Sequence, residues 1–423
     1  MLESGLCHFG TCMKLAFVLG KNPQISLAEL GAVLGSGITP AKFDNHLAFF
    51  DGELPAKKIG LQKFLDRLGG STEIIEIFKS DVPAANIQNE IENYLIGQHK
   101  KIVGEKSADD KSTKKFSFAI NTLPESKKSN LLRMLLPRVK KSLREKGIHA
   151  NFMNNEMQNV NSVFAFKQGL ASSGTNLYVI DIGENKVAIG ASQAMQDFEK
   201  YSKRDYSKPF RDARVGMLPP KLSQILINLA VGQKSEKTFL YDPFCGTGTT
   251  PMEALLMGLN AIGSDKNESL VKGANENLEW LKKNFAIDEK LEFKVFEKDA
   301  TQISRSDIDS EKVAIASEPN LGPPLSIFPE QKNLDKIIDD LSDLYLRFFE
   351  NLARVVPSGT PIVFIFPFWR KTGMQIKICD MIIDKIESFG YSRTTFVPLS
   401  QTSLFYDRPD QVVGREIVRL IKN

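Results

Sequence analysis

Seven residues in the second half of the chain, Asp242-Pro243-Phe244-Cys245-Gly246-Thr247-Gly248, follow an apolar run and lead through Thr249-Thr250 into a helix opening at Pro251. Gly246 and Gly248 permit backbone dihedrals that a side chain forbids and let a ligand come close to the chain. The helix start beyond them offers free N–H groups to an anionic group such as a carboxylate. At the carboxyl end of a parallel strand, such a turn is where an open α/β sheet takes its ligand. The acid that opens the turn selects the sign of charge, since Asp242 would repel a pyrophosphate and attract an ammonium group. The third glycine of a dinucleotide fingerprint is missing, which points the same way.

Two further acids follow at the ends of the next two apolar runs. Asp265 is placed to accept both hydroxyls of a ribose, and Asp299-Ala300 to accept from an adenine amine and donate an N–H to its ring. These features together favour S-adenosylmethionine over a nicotinamide cofactor, and methyl transfer over hydride transfer. The expected cofactor-binding residues are Asp242, Phe244, Cys245, Gly246, Thr247, Gly248, Asp265, Asp299 and Ala300. After the fourth apolar run comes Ser317-Glu318-Pro319-Asn320-Leu321-Gly322-Pro323-Pro324. It resembles in position the Asp-Pro-Pro-Tyr or Asn-Pro-Pro-Tyr tetrad of amino-methyltransferases, which implies a loop that accepts two hydrogen bonds from an exocyclic amine, here at the Glu318 side chain and the Pro319 carbonyl, so that the nitrogen lone pair faces the methyl. Placement and charge stabilisation then supply much of the rate without a strong base. Glu318, Pro319, Asn320 and Leu321 are the expected catalytic residues.

These residues need a sheet to hold them. Strands are expected at 238–244, 261–265, 292–296, 312–317, 361–366, 394–398 and 416–421, with helices between: a doubly wound, seven-stranded Rossmann-like domain over 201–423. Two smaller α+β domains are expected before it, at 13–80 and 81–200. In the first, Ser26 and Glu29 have the spacing of a capping box. In the second, the polar stretch Gly104–Lys115 reads as a mobile loop, and a helix over 129–146 carries Leu132, Leu135, Leu136, Val139 and Leu143 at helical spacing. Its other faces are basic, and Pro137 is expected to bend it. Segment 201–212, polar, basic and aromatic, reads as a linker.

With 423 residues, 42% of them hydrophobic and 25% charged, the chain suits two or three globular domains and neither a disordered nor a fibrous protein. A net charge of +4 permits a nucleic-acid partner without requiring one. Cys7, Cys12, Cys245 and Cys379 make neither a disulfide framework nor a zinc motif, so no metal is expected. With no long apolar run and no leader pattern, a cytoplasmic chain without membrane contact is expected.

Asp242–Gly248, Asp265 and the Glu318 loop resemble those of the family that methylates the N2 amine of guanine 10 in tRNA. Leu19-Gly20-Lys21-Asn22-Pro23 with Leu27-Ala28-Glu29-Leu30, Arg211-Asp212, Met217-Leu218-Pro219-Pro220-Lys221, and Tyr406-Asp407-Arg408 with Gln411 extend the resemblance over nearly the whole chain. It implies a ferredoxin-like domain, then a THUMP RNA-binding module, then a class I S-adenosylmethionine-dependent methyltransferase, acting as a monomer on tRNA. The family's eukaryotic branch works with a small zinc-binding protein and its archaeal members act alone, so an activating subunit stays open. RNA contacts are then expected at Arg133, Lys140, Lys141, Arg144, Arg204, Arg211 and Arg408. The sequence departs from the family's Asp/Asn-Pro-Pro-Tyr tetrad. Glu318 is one methylene longer than Asp, and Leu321 replaces the aromatic that stacks on the base, leaving Phe328 as a candidate cover. Two alternatives stand beside this reading: a DNA adenine-N6 or cytosine-N4 amino-methyltransferase, and a catalytically decayed RNA-binding homologue.

Overall fold

The computed structural model describes residues 15–35, 37–41, 44–52, 60–104, 116–125, 129–212, 217–233, 238–308, 312–371, 374–408 and 411–423. The loop expected at Gly104–Lys115 lies almost wholly outside them, as do Cys7 and Cys12. In chain order the first elements are β1 (Leu15–Leu19), α1 (Pro23–Leu34), β2 (Ile38–Pro40), β3 (Leu47–Phe50), α2 (Leu61–Asp66), β4 (Ser71–Pro83) and α3 (Ile87–Gly104). Next come β5 (Phe116–Leu123), α4 (Ser129–Glu145), β6 (Ala150–Phe152), α5 (Ser162–Lys167), β7 (Thr175–Gly183) and β8 (Lys186–Met195). The remainder opens with α6 (Phe198–Tyr206), α7 (Pro220–Val231), β9 (Phe239–Asp242), α8 (Thr249–Leu256), β10 (Asn260–Asp265), α9 (Glu268–Asn284) and β11 (Phe293–Glu297). It continues with α10 (Arg305–Ile308), β12 (Val313–Ser317), α11 (Gln331–Val355), β13 (Pro361–Lys371) and β14 (Met374–Lys377). The last elements are α12 (Ile378–Ser388), β15 (Tyr391–Arg393), β16 (Ser403–Tyr406) and β17 (Val413–Lys422).

The chain packs as two compact units. Unit 1 takes the chain up to Pro23, Gly37–Asp66 and Ser71–Phe198, and unit 2 takes Gln24–Ser36, Arg67–Gly70 and Glu199–Asn423. Unit 1 contains one sheet in the order β2-β3-β1-β4-β8-β7-β5-β6. The boundary expected between residues 80 and 81 therefore falls inside β4, whose 13 residues are long enough to pair with β1 on one edge and β8 on the other. The packing agrees: Ala16, Leu47, Phe49 and Ile75 share one apolar cluster with Tyr178, Ile180 and Ala188. In α4 the five leucine and valine positions named above are buried and pack with Ile87, Ile91 and Leu95 of α3, while Arg133, Arg138, Lys140, Lys141 and Arg144 are exposed. The helix runs through Pro137.

Unit 2 contains a sheet in the order β11-β10-β9-β12-β13-β17-β15, with β14 on β13 and β16 on β17. The first five strands are parallel, and β17 returns antiparallel between β13 and β15. Successive side chains alternate faces along a strand. Tyr241, Ile315, Phe364 and Phe366 accordingly enter the core beneath α11 and α12, while Leu240, Ala314, Ala316, Val363 and Ile365 enter the one beneath α7, α8 and α9. The expected strands hold within a few residues except 394–398, which is not a strand; β15 precedes it.

Two local expectations are corrected. Helix α1 starts at Pro23, whose fixed φ and missing N–H suit the first helical position. Glu29 is thus inside the helix and makes no capping box; its carboxylate accepts from Gly69 N–H (2.9 Å), Gly70 N–H (2.8 Å) and Asn228 Nδ2 (2.7 Å), all in unit 2. The presumed linker at 201–212 begins as helix α6.

Candidate active site

The turn after β9 is built by short backbone hydrogen bonds. Cys245 N–H donates to Ser264 O at 2.9 Å, and Gly248 N–H to Cys245 O at 2.8 Å. Gly248 has φ +83° and turns the chain into α8; a Cβ there would lie 3.0 Å from the Ala274 side chain, so close packing and conformation both favour glycine. At Gly246, φ is +52° and a Cβ would meet nothing within 4 Å. The open space beside Gly246 belongs to a cavity of about 630 Å³.

That cavity brings together most of what the sequence proposed. Asp242, Phe244, Cys245, Gly246, Thr247, Asp265, Asp299 and Ala300 line it, and so do Glu318, Pro319, Asn320 and Leu321. Gly248 does not, for the reason just given. The ends of β9, β10 and β12 deliver Asp242, Asp265 and the Glu318 loop to the same sheet edge, and the turn after β11 adds Asp299. Asp242 is 3% exposed, and its Oδ1 accepts from Ser317 Oγ (2.6 Å) and Phe244 N–H (3.1 Å). Burial pushes its carboxyl up from 3.8 to about 6 against those bonds, with the charge of Asp265 adding to the rise. A buried carboxylate with neutral donors and, among the described residues, no cation paired with it suits a positively charged ligand.

Asp265 Oδ2 accepts from Gly246 N–H (3.1 Å) and Oδ1 from Asn267 N–H (3.0 Å). Each oxygen takes one donor and retains acceptor capacity for a hydroxyl. Asp299 Oδ1 accepts from the Thr301 N–H and Oγ1, both at 2.8 Å, which fixes the Asp299-Ala300 corner. The amino group of Asn277 donates to Thr247 O at 2.9 Å and anchors the turn to α9.

The Glu318 loop differs from expectation in one contact. The Glu318 side chain is 8% exposed and its Oε1 accepts from Arg415 Nε of β17, an ion pair of very close approach. Burial raises the Glu318 carboxyl and the Arg415 guanidinium opposes the rise. Arg415 was not singled out from sequence. The signal was there: in β17 it shares a face with Val413 and Ile417, and an arginine on such a face needs a buried acid. Asn320 O accepts from the Tyr345 hydroxyl and Asn320 Oδ1 from Gly322 N–H at 3.0 Å, so both ends of Asn320 shape the loop. Leu321 packs against the apolar core. Phe328 is not among the residues lining the cavity; it packs on the core, with Lys371 Nζ 5.3 Å from its ring centre.

Of the expected RNA contacts, Arg133, Lys140, Lys141 and Arg144 are exposed on α4 in unit 1, and Arg211 and Arg408 are exposed in unit 2. Arg204 is corrected. It is 5% exposed and donates to Glu253 of α8 at 2.7 Å, so it has no surface to offer RNA. Among the described residues, no cluster of His, Cys, Asp or Glu could hold a metal ion, and no helix is long and apolar enough to cross a membrane.

A parallel sheet with a glycine turn after its central strand, acids at the next two strand ends and an antiparallel return define a class I S-adenosylmethionine-dependent methyltransferase domain. Residues 210–368, which contain that turn, match the family described as RMKL-like, methyltransferase domain. A second family, described as DNA methylase, matches residues 56–276; this is just over half of the chain, which belongs to that family. Among curated relatives, the tRNA (guanine(10)-N2)-dimethyltransferase of Pyrococcus abyssi is 30% identical over 168 residues, 40% of this chain and 43% of that one. The enzyme of the same description from Methanothermobacter thermautotrophicus is 34% identical over 166 residues, 39% and 43%. The chain thus matches less than half the length of these relatives. Among solved structures, TrmN from Thermus thermophilus aligns with 97% of this chain and 99% of its own at 14% identity and a TM-score of 0.47.

Proposed function

We propose that unit 2 methylates the exocyclic N2 amine of a guanine in tRNA, at position 10 as in the relatives' description, and that unit 1 is its RNA-binding part, with ferredoxin-like and THUMP-like halves sharing one sheet. The observation carrying this reading is the convergence, in one cavity, of the glycine turn, the acids Asp242 and Asp265, and the loop from Glu318 to Leu321. The cavity fits S-adenosylmethionine, because the space beside Gly246 is what a side chain would have filled and the buried Asp242 carboxylate has no paired cation among the described residues. Asp242 would hold the ammonium group, Asp265 the ribose hydroxyls, and Asp299 with Ala300 the adenine. Bound there, the cofactor supplies a methyl group made electrophilic by its positively charged sulfur. Glu318 and the Pro319 carbonyl orient the substrate amine by accepting its two N–H bonds. The Glu318 carboxylate, already accepting from that amine, would also take the proton that the methylated nitrogen must release.

Incubating the full chain with S-adenosylmethionine and unmodified tRNA, then digesting to nucleosides, should yield N2-methylguanosine or its dimethyl form. Product confined to N6-methyladenine or N4-methylcytosine would overturn this assignment. Those are the products of the second reading, a DNA amino-methyltransferase, which the DNA methylase match favours; that match, however, ends at residue 276, before the Glu318 loop.

A further inference from the structure

We infer that Arg415 and Glu318 form one recognition unit for the Watson–Crick edge of guanine, with Arg415 the specificity-determining residue; this rests on the guanine reading above. Both side chains line the cavity, at 14% and 8% exposure, and Arg415 Nε donates to Glu318 Oε1. An arginine carries five N–H donors in a planar fork. With Nε turned to the acid, the terminal Nη groups remain for a substrate. The guanidinium is flanked by Tyr406 of β16, directly opposite in the strand register, with Cζ 5.8 Å from the ring centre. Arg347, which also lines the cavity, is engaged with Asp343 at 2.8 Å and its side chain is 60% exposed, which makes it a poor discriminator.

Guanine presents, in order along one edge, the O6 acceptor, the N1–H donor and the N2 amine. The pair presents the complement: Nη donors for O6 beside carboxylate oxygens for N1–H and N2–H. Adenine puts an amine donor where guanine has O6, so it would meet Arg415 donor to donor. Cytosine offers acceptors where guanine has N1–H and N2–H, and these would face the Glu318 carboxylate. The extra methylene that distinguishes Glu318 from aspartate gives the acid the length to meet Arg415 across the cavity wall. A buried site made for a hydrogen bond rejects an analogue that leaves its groups unpaired far more strongly than an apolar pocket does.

The test uses tRNA carrying either guanine or 2,6-diaminopurine at the target position. The analogue keeps the N2 amine, replaces O6 by an amine and leaves N1 without its hydrogen, so it opposes Arg415 at one position and Glu318 at the next. The native enzyme should prefer guanine in kcat/KM by about tenfold to a hundredfold, the discrimination expected of one well-made arginine contact. Arg415→Gln, whose amide can either donate or accept, should narrow that preference severalfold in direct competition, the remainder being the N1 mismatch with Glu318. Arg415→Lys keeps the charge beside Glu318 and loses the fork, so it should retain more rate than discrimination, and it gives the same comparison where the glutamine variant folds poorly. A native preference that persists unchanged in these variants overturns the assignment of Arg415 while leaving guanine as the substrate. A native enzyme that methylates adenine or cytosine and spares guanine overturns both.

Discussion

On the proposed function Asp242 holds the cofactor's ammonium group, and its burial makes two opposite predictions for one substitution. Its folded carboxyl titrates near 6 against 3.8 ordinarily, so between those values the folded chain holds a proton that the unfolded chain has lost. Stability therefore falls as pH rises through that window, by on the order of 3 kcal/mol in total, and the full penalty is present above pH 6. Asp242→Asn keeps the Oδ1 acceptor for Ser317 and Phe244 and removes the charge. The ligand-free variant should melt higher than the native protein at pH 7.5, with the gap closing as pH falls toward 4. It should bind S-adenosylmethionine at least about tenfold more weakly at pH 7.5, since a fixed opposite charge at low dielectric is lost. Native affinity should itself drop below pH 6 as Asp242 gains its proton, whereas the variant's should not. Calorimetry across pH 5 to 8 reads both slopes, and equal affinities at pH 7.5 would show that the ammonium is held elsewhere. At this scale the sequence was most legible where backbone conformation dictates residue type, at Gly246, Gly248 and the strand-ending acids. It was least legible at Arg415, because the pairing with Glu318 links positions 97 residues apart that no local pattern connects.

Helix α6 carries the same lesson at the level of elements. Tyr-Ser-Lys-Arg-Asp-Tyr-Ser-Lys has the composition of a solvated linker, and charge in a sequence does not announce burial. In the structure Arg204 is enclosed with Glu253 at side-chain exposures of 6% and 1%, and Lys208 Nζ reaches Thr249 Oγ1 at 3.2 Å, at the first turn of α8. Removing one partner leaves an uncompensated buried charge. Arg204→Ala should thus destabilise by about 3–5 kcal/mol, while the double variant Arg204→Met, Glu253→Met should recover much of that loss because an apolar pair of similar volume packs without a charge. Denaturant titration of the three proteins tests this; a single variant within 1 kcal/mol of native would mean that Glu253 is neutral or solvated. The parallel strands β9, β10, β12 and β13, even β9 with only four residues, were readable because burial on both faces makes each a continuous apolar run bounded by turn residues. Strands β14, β15 and β16 span four, three and four residues, too few for alternation to stand out, and they owe their pairing to β13 and β17.

For the whole molecule, the alternation of helix and strand put the strands of the two sheets in the two parts of the chain, but did not show that the first part's strands make a single sheet or that Gln24–Ser36 and Arg67–Gly70 pack with the second unit. A cut near residue 80 looks natural when β4 is read as ending with its apolar stretch, yet its polar continuation through Lys79 and Asp81 remains hydrogen-bonded to β8. If that unit holds tRNA, the exposed basic face of α4 is where the phosphates meet it, and the energetics are of a kind that salt reveals. Lys141 makes a 4.0 Å pair with Glu145 at side-chain exposures of 80% and 66%, which in water holds the lysine only weakly. Lys140 and Arg144 are exposed as well. Each phosphate neutralised contributes roughly 0.7 to 0.9 to the slope of log affinity against log salt. Reversing Lys140, Lys141 and Arg144 to glutamate should flatten that slope by about 2 to 3, raise KM for tRNA, and leave S-adenosylmethionine affinity and melting temperature near native, since all three side chains lie outside the core. Filter binding at several salt concentrations decides it: an unaltered slope would make α4 an ordinary solvated helix and send the search for the RNA-binding face to another surface of the same sheet.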